Sequence, residues 1–255
     1  MGRAGARRKR EGSRGTARPW VEVSAATSRE PRGPNQMPEW CLSGRIRPIG
    51  EPQELRILLL GRSGGGRSAT GNTLLCREEF KSQLASQPVT TTCKEGRRDW
   101  GEWCVVVMDT PAIFGGSQWD KKQLEEERRH CVHFGTHKYC VLLLVTQLGR
   151  YTREDREVQK RVKQVFGKGA KKRMVVVFTR REDLGDSSLD EFVKTAENGA
   201  LRKLVKVCKK QYCAVSNRAP RQDRDAQAEE VLRMAEAIAR RECMRGEPWY
   251  KQCWQ

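Results

Sequence analysis

The sequence has no apolar run approaching the roughly 20 residues needed to cross a bilayer, and no apolar segment of the signal type opens it. Those absences predict a chain that is neither secreted nor membrane-spanning, cytoplasmic and at most peripheral on intracellular membranes. Cysteine is not scarce, at 10 residues, but Cys-x-x-Cys pairs are lacking, which argues for reduced thiols rather than a disulfide framework. Histidine is scarce, and all 3 residues fall between His130 and His137. With Cys131 and Cys140 they form a concentration of soft ligands that lacks the paired spacing of a zinc site, so the two cysteines are expected in the core. Acidic residues fall far short of basic ones, 32 against 50, giving a formal net charge of +18. A nucleotide ligand does not require so much charge, so an anionic membrane surface or a polyanion enters as a partner. No sequence-specific nucleic-acid contact is expected, and no internal repeat is visible.

The 255 residues have room for one sizeable domain plus tails. Residues 1–50 are rich in Arg, Gly, Ser and Pro without apolar periodicity, and such a segment cannot bury enough surface to offset its ordering entropy. A disordered basic arm is expected there, with Arg7-Arg8-Lys9-Arg10 as a solvated or anion-binding patch, followed by a domain over 51–245 and a short tail over 246–255. From Leu55 onward, short apolar runs alternate with amphipathic stretches, the rhythm of strand-helix units. Strands are expected at Leu55 to Leu60, Trp103 to Met108, Val141 to Val145, Met174 to Phe178 and Tyr212 to Val215. An edge strand near Arg97 to Trp100 would pair antiparallel with the strand ending at Met108. Helices are expected at Lys122 to Val132, Arg153 to Phe166, Leu189 to Val207 and Arg224 to Arg241. The fold class is α/β, a P-loop NTPase three-layer fold with a mostly parallel central sheet and helices on both faces.

The chain is organised around Gly61-Arg62-Ser63-Gly64-Gly65-Gly66-Arg67-Ser68, which follows the first strand and opens a helix at Ala69. This is the spacing of a phosphate-binding loop with arginine in the lysine position. Glycines let successive N–H groups turn inward around an anion, and the helix start adds its positive dipole end. Ser68 would place its hydroxyl on Mg²⁺. An arginine fork is not equivalent to a compact ammonium at a tight phosphate site, so Arg67 bears on nucleotide affinity.

Ligands of such sheets sit beyond the carboxyl ends of the strands. Within Glu78 to Gly96, Thr90 could bring a hydroxyl to Mg²⁺ and the γ-phosphate, or belong to an ordinary Thr-rich loop. Asp109, ending its strand before Thr110-Pro111-Ala112, fits the acid that holds the magnesium shell. Arg150, after Val141 to Val145, could reach phosphates in its own subunit or across a dimer. Alternatively, its loop only leads to a helix capped by Thr152 with Asp155 three residues on. In Thr179-Arg180-Arg181-Glu182-Asp183, guanine recognition needs a carboxylate to accept the ring N1–H and the exocyclic amine together. Glu182 stands in that place with Arg180 free to stack, and Asp183 competes for the role. Asn217, in Ser216-Asn217-Arg218, could close over the base from the other side.

Gly61 to Thr73, Asp109-Thr110-Pro111, Leu142 to Thr152 and Phe178 to Leu184 together closely resemble the GIMAP family, the GTPases of immunity-associated proteins. The resemblance runs from about Leu55 to Trp249, and Leu148-Gly149-Arg150-Tyr151-Thr152 is its particular signature. It implies a domain related to septins and chloroplast import GTPases, binding GTP or GDP with Mg²⁺ and acting in lymphocyte survival on intracellular membranes. It further implies pairing of G domains into a homodimer or a heterodimer within the family, with Arg150 acting across the pair, Glu182 reading guanine and Asn217 in the base-closing motif. Arg67 in place of the loop lysine and Ala112 in place of the magnesium-motif glycine imply weak hydrolysis. The competing reading is a pseudo-GTPase scaffold that no longer binds nucleotide.

Overall fold

The computed structural model describes residues 52–83, 89–114 and 120–245. The arm expected over 1–50 and the tail expected over 246–255 lie outside them, as do residues 84–88 of the segment Glu78 to Gly96. Six strands form one sheet: β1 (Gln53–Leu60), β2 (Lys94–Trp100), β3 (Trp103–Asp109), β4 (Cys140–Gln147), β5 (Met174–Thr179) and β6 (Tyr212–Val215). Their order is β2-β3-β1-β4-β5-β6. All neighbours are parallel except β2, which pairs antiparallel with β3 at the edge. From β1 the chain builds outward to β3 on one side and then to β4 on the other, so the order reverses at β1. That reversal makes the carboxyl end of β1 the expected ligand crevice.

The helices are α1 (Arg67–Leu75), α2 (Lys121–Gly135), α3 (Arg153–Phe166), α4 (Leu189–Thr195), α5 (Gly199–Val207) and α6 (Arg221–Met244), with 3₁₀ turns at Lys168–Arg173 and Arg181–Leu184. Side chains of a strand alternate between faces, and β1 shows how the two layers divide. Ile57 and Leu59 pack with Leu74 of α1 and Val231 and Leu232 of α6. Leu58 and Leu60 pack with Phe134 of α2, Val158 and Val162 of α3 and Leu204 of α5. Every one of these residues is buried, which explains why the strands read as unbroken apolar runs.

Where one helix was expected from Leu189 to Val207, the structure has two. Ala196 leaves helical geometry with ψ 119°, and the Asn198 side chain accepts from the N–H groups of Ala200 and Leu201 to start α5. Apolar spacing persists across such a break because α4 and α5 cover the same face, Val193 and Leu201 joining one core. An N-cap asparagine ahead of a glycine is the local signal that outweighs the periodicity. Cys131 and Cys140 are both fully buried, so their thiols serve packing.

Candidate functional site

The phosphate loop is held by close backbone approach. Gly64 and Gly66 have φ of +69° and +95°, a region that side-chain-bearing residues occupy only at a cost. A Cβ on Gly66 would lie 2.9 Å from Thr179 Cγ2, and one on Gly61 would lie 2.4 Å from the Val145 carbonyl oxygen. The Thr179 hydroxyl donates to the Gly65 carbonyl at 2.9 Å, so the ends of β4 and β5 brace the loop. Gly66 caps α1 without any side-chain hydrogen bond, and the first turn carries no acid. The leading amides and the positive dipole end of α1, around Ser68 and Ala69, are therefore left for an anion.

Beside that cradle three oxygen-bearing side chains converge. Ser68 Oγ donates to Asp109 Oδ2 at 2.6 Å, Thr90 Oγ1 donates to the same oxygen at 3.1 Å, and the two hydroxyls lie 3.2 Å apart. Asp109 is buried, and its Oδ1 has no hydrogen-bond partner. A buried carboxylate oxygen without a partner is costly, and together with two hydroxyls it makes a hard oxygen set that fits Mg²⁺. The structure thus brings Thr90 to Ser68 and Asp109 from 22 and 19 residues away. Behind Thr90, the Cys93 N–H donates to Glu127 Oε2 at 2.8 Å, tying that segment to α2.

Arg67 turns away from the open side of the loop. Its stem passes Gly61, and its Nη1 donates to the Thr110 carbonyl and, at 3.2 Å, to Thr110 Oγ1. Thr110 Oγ1 in turn donates to the Leu59 carbonyl at 2.7 Å. Burial holds the Arg67 pKa below the ordinary arginine value, against the opposing pull of Asp109. Arg62 is also engaged: its Nη2 donates to Gln147 Oε1 at 3.3 Å and its Nε lies 3.4 Å from Asp155 Oδ2. Ser63 and Gly64 form the exposed rim.

On the far side of the loop lies a cavity of about 810 Å³ lined by Arg180, Arg181, Glu182, Ser216, Arg218 and residues of α6. Arg180 takes a left-handed conformation, φ 66°, and its Nε lies 3.3 Å from Asp183 Oδ2. Asp183 is thus paired outside the cavity wall while Glu182 lines it. The Asn217 side chain lies against α1. Its Oδ1 accepts from Thr73 Oγ1 at 2.9 Å and its Nδ2 donates to Thr70 Oγ1 at 3.2 Å, which fastens the loop after β6 to α1.

The loop carrying Arg150 leads into the capped helix α3. Thr152 and Asp155 form the reciprocal capping box of α3, and Asp155 Oδ1 accepts from Thr146 Oγ1 at 3.0 Å. Arg150 is exposed at the tip, its N–H bonded to the Gln147 carbonyl. Sequence reasoning found the cap but missed Arg62 and Thr110 as anchors, since both contacts join segments more than 40 residues apart. The one local signal was a buriable arginine inside a glycine loop.

A model of the AIG1 family matches residues 55–254. Mouse "GTPase IMAP family member 8" is 39% identical over 216 residues, which are 83% of this chain and 31% of that relative. The chain therefore spans under a third of the length of this curated relative. Among solved structures, Toc33 from Arabidopsis thaliana in complex with Mg²⁺ and GMPPNP superposes with a TM-score of 0.54 at 20% identity, over 74% of this chain and 85% of that one. A dimerization-deficient mutant of the same protein superposes at 0.52 and 19%, over 73% and 84%. At these identities the solved structures show the fold, a P-loop GTPase architecture.

Proposed function

Because this chain belongs to the AIG1 family and is a GIMAP-type domain, we propose that it binds GTP and GDP with Mg²⁺ and uses the nucleotide state to control pairing of G domains. The observation that carries this reading is the convergence of Ser68, Thr90 and Asp109, with Asp109 Oδ1 buried and unpartnered. In the nucleotide complex, the amides of Gly64 to Ser68 and Ala69 would hold the phosphates, and Ser68, Thr90 and Asp109 would hold Mg²⁺, which would supply neutralisation of charge on the phosphate oxygens. Glu182 accepts from guanine, and Arg180 flanks the ring. Arg150, exposed beyond the cap of α3, reaches a second G domain, of the same chain or of a relative. The arginine-dependent dimerization named for Toc33 lends support to that role. Hydrolysis is attack of water on the γ-phosphorus with cleavage of its bond to the β–γ bridging oxygen, releasing GDP and inorganic phosphate, with Arg150 supplied across the pair, and it is weak, because Arg67 is committed to Thr110. The cellular role is in immune regulation and lymphocyte survival, in the cytoplasm with peripheral contact on intracellular membranes. Among the described residues, no helix is long and apolar enough to cross a membrane.

The commitment of Arg67 to Thr110 favours a second reading, a scaffold that no longer binds nucleotide. Calorimetric titration of GTP, GDP and ATP with Mg²⁺ into the wild type, Arg67→Lys and Glu182→Ala separates the two. Guanine-selective binding by the wild type, lost in Glu182→Ala, supports the switch. A silent wild type rescued by Arg67→Lys establishes the scaffold.

A further inference from the structure

The five parallel strands place their carboxyl ends at the nucleotide site, so their amino ends form the opposite edge of the sheet. Three elements end there on neighbouring strands. The 3₁₀ turn Lys168–Arg173 leads into β5 at Met174, the turn after α5 leads into β6 at Tyr212, and those strands are paired, Val176 beside Tyr212. The last turns of α6 join them, Arg241 Nη2 donating to the Lys172 carbonyl at 3.3 Å.

This edge is cationic. Lys206, Lys209 and Lys210, at the end of α5 and in the turn after it, are all exposed, and no acid interrupts residues 202–210. Exposed Lys168 and Lys171 extend the charge. Two further features mark the surface. Lys209 and Lys210 are consecutive residues with φ of 53° and 60°, where glycine would fit without strain. Strain held at adjacent charged side chains points to use of those side chains. Moreover, the exposed large hydrophobic side chains among the described residues are Val207, 43% exposed, and Met244, 77% exposed, one beside the lysine turn and one ending α6.

We infer that this edge docks the domain on an anionic lipid bilayer, the lysines meeting headgroups and Val207 and Met244 entering the interface. Each basic residue at an anionic surface contributes about a fivefold gain in partitioning. Exposed apolar groups among cations suit a bilayer, whereas strand-binding proteins interleave their cations with stacking aromatics, and no exposed large aromatic occurs among the described residues. Docked this way, the nucleotide cleft and Arg150 face away from the lipid. The inference rests on the proposed peripheral membrane contact and assigns it to the folded domain rather than to the basic arm.

The test is sedimentation of the full chain with vesicles of phosphatidylcholine alone or mixed with phosphatidylserine. The wild type is expected to bind only the mixed vesicles. Lys209→Gly with Lys210→Gly should weaken binding about 25-fold while raising the melting temperature, because glycine relieves the positive φ. A merely structural role would move neither in that opposed way. Val207→Ser with Met244→Ser should weaken vesicle binding but leave capture of duplex DNA unchanged. Neutralising Arg7, Arg8, Lys9 and Arg10 should leave most vesicle binding. If the arm variant loses binding and the lysine variant keeps it, the membrane contact stands and this inference falls. If the wild type ignores mixed vesicles, both fall. Lysine-dependent binding to duplex DNA without binding to vesicles would make the partner a nucleic acid and overturn the bilayer.

Discussion

The two halves of the candidate nucleotide site are built differently. The phosphate half is dense and buried: Arg67, Thr110 and Asp109 are all under a tenth exposed, and Ser68, Thr90 and Asp109 bond to one another. The base half is open, with Arg180 and Asp183 about half exposed in an ion pair and Glu182 on the wall of a wide cavity. A dense half keeps its geometry through its own hydrogen bonds, whereas an open half gains order from its ligand. Affinity should therefore be set at the phosphate end and selectivity at the base end.

That division can be broken by substitution. Asp109→Ala should have the largest effect, removing the carboxylate proposed for magnesium and the shared acceptor of two half-buried hydroxyls. Loss of a charged hydrogen-bonding group at such a site costs about 3–5 kcal/mol, read as collapse of Mg²⁺-dependent GTP binding by calorimetry. Glu182→Ala should come next, at about 1.5–3 kcal/mol, confined to guanine: discrimination against ATP falls while the phosphate contribution persists. Equal weakening for both nucleotides would contradict the division. Gly66→Ala should cost about 1–2 kcal/mol from its positive φ, seen as a lower melting temperature even without nucleotide, because the contact with Thr179 belongs to the resting fold. Asp183→Ala should do least, within about 1 kcal/mol for an exposed pair, with guanine selectivity retained. Should Asp183→Ala abolish selectivity instead, Asp183 and not Glu182 reads the base.

Much of this was legible in the sequence where the signal is local. α3 begins where Thr152 and Asp155 place it, because a capping box is short-range chemistry. β6 is likewise bounded by its apolar run. The phosphate loop was legible for the same reason, as glycines at fixed spacing after a strand. The break at Asn198 was hidden because both sides of it bury the same stripe. The direction of Arg67 was hidden too, since only the folded chain brings Thr110 within reach. The bonds from the Asn217 amide to Thr70 and Thr73 were hidden for the same reason, since that helix lies about 145 residues earlier in the chain.

Asp155 accepts from Thr146, completes the cap at Thr152 and lies against Arg62 of the phosphate loop. One carboxylate thus serves a strand, a helix and a loop at once, and truncation of its side chain to alanine removes all three contacts. Arg150, five residues earlier and exposed, has no such obligations. A lineage carrying this domain is free to exchange Arg150, and with it the pairing proposed for that residue, without endangering the fold, but it can leave Asp155 only through coordinated changes at several positions.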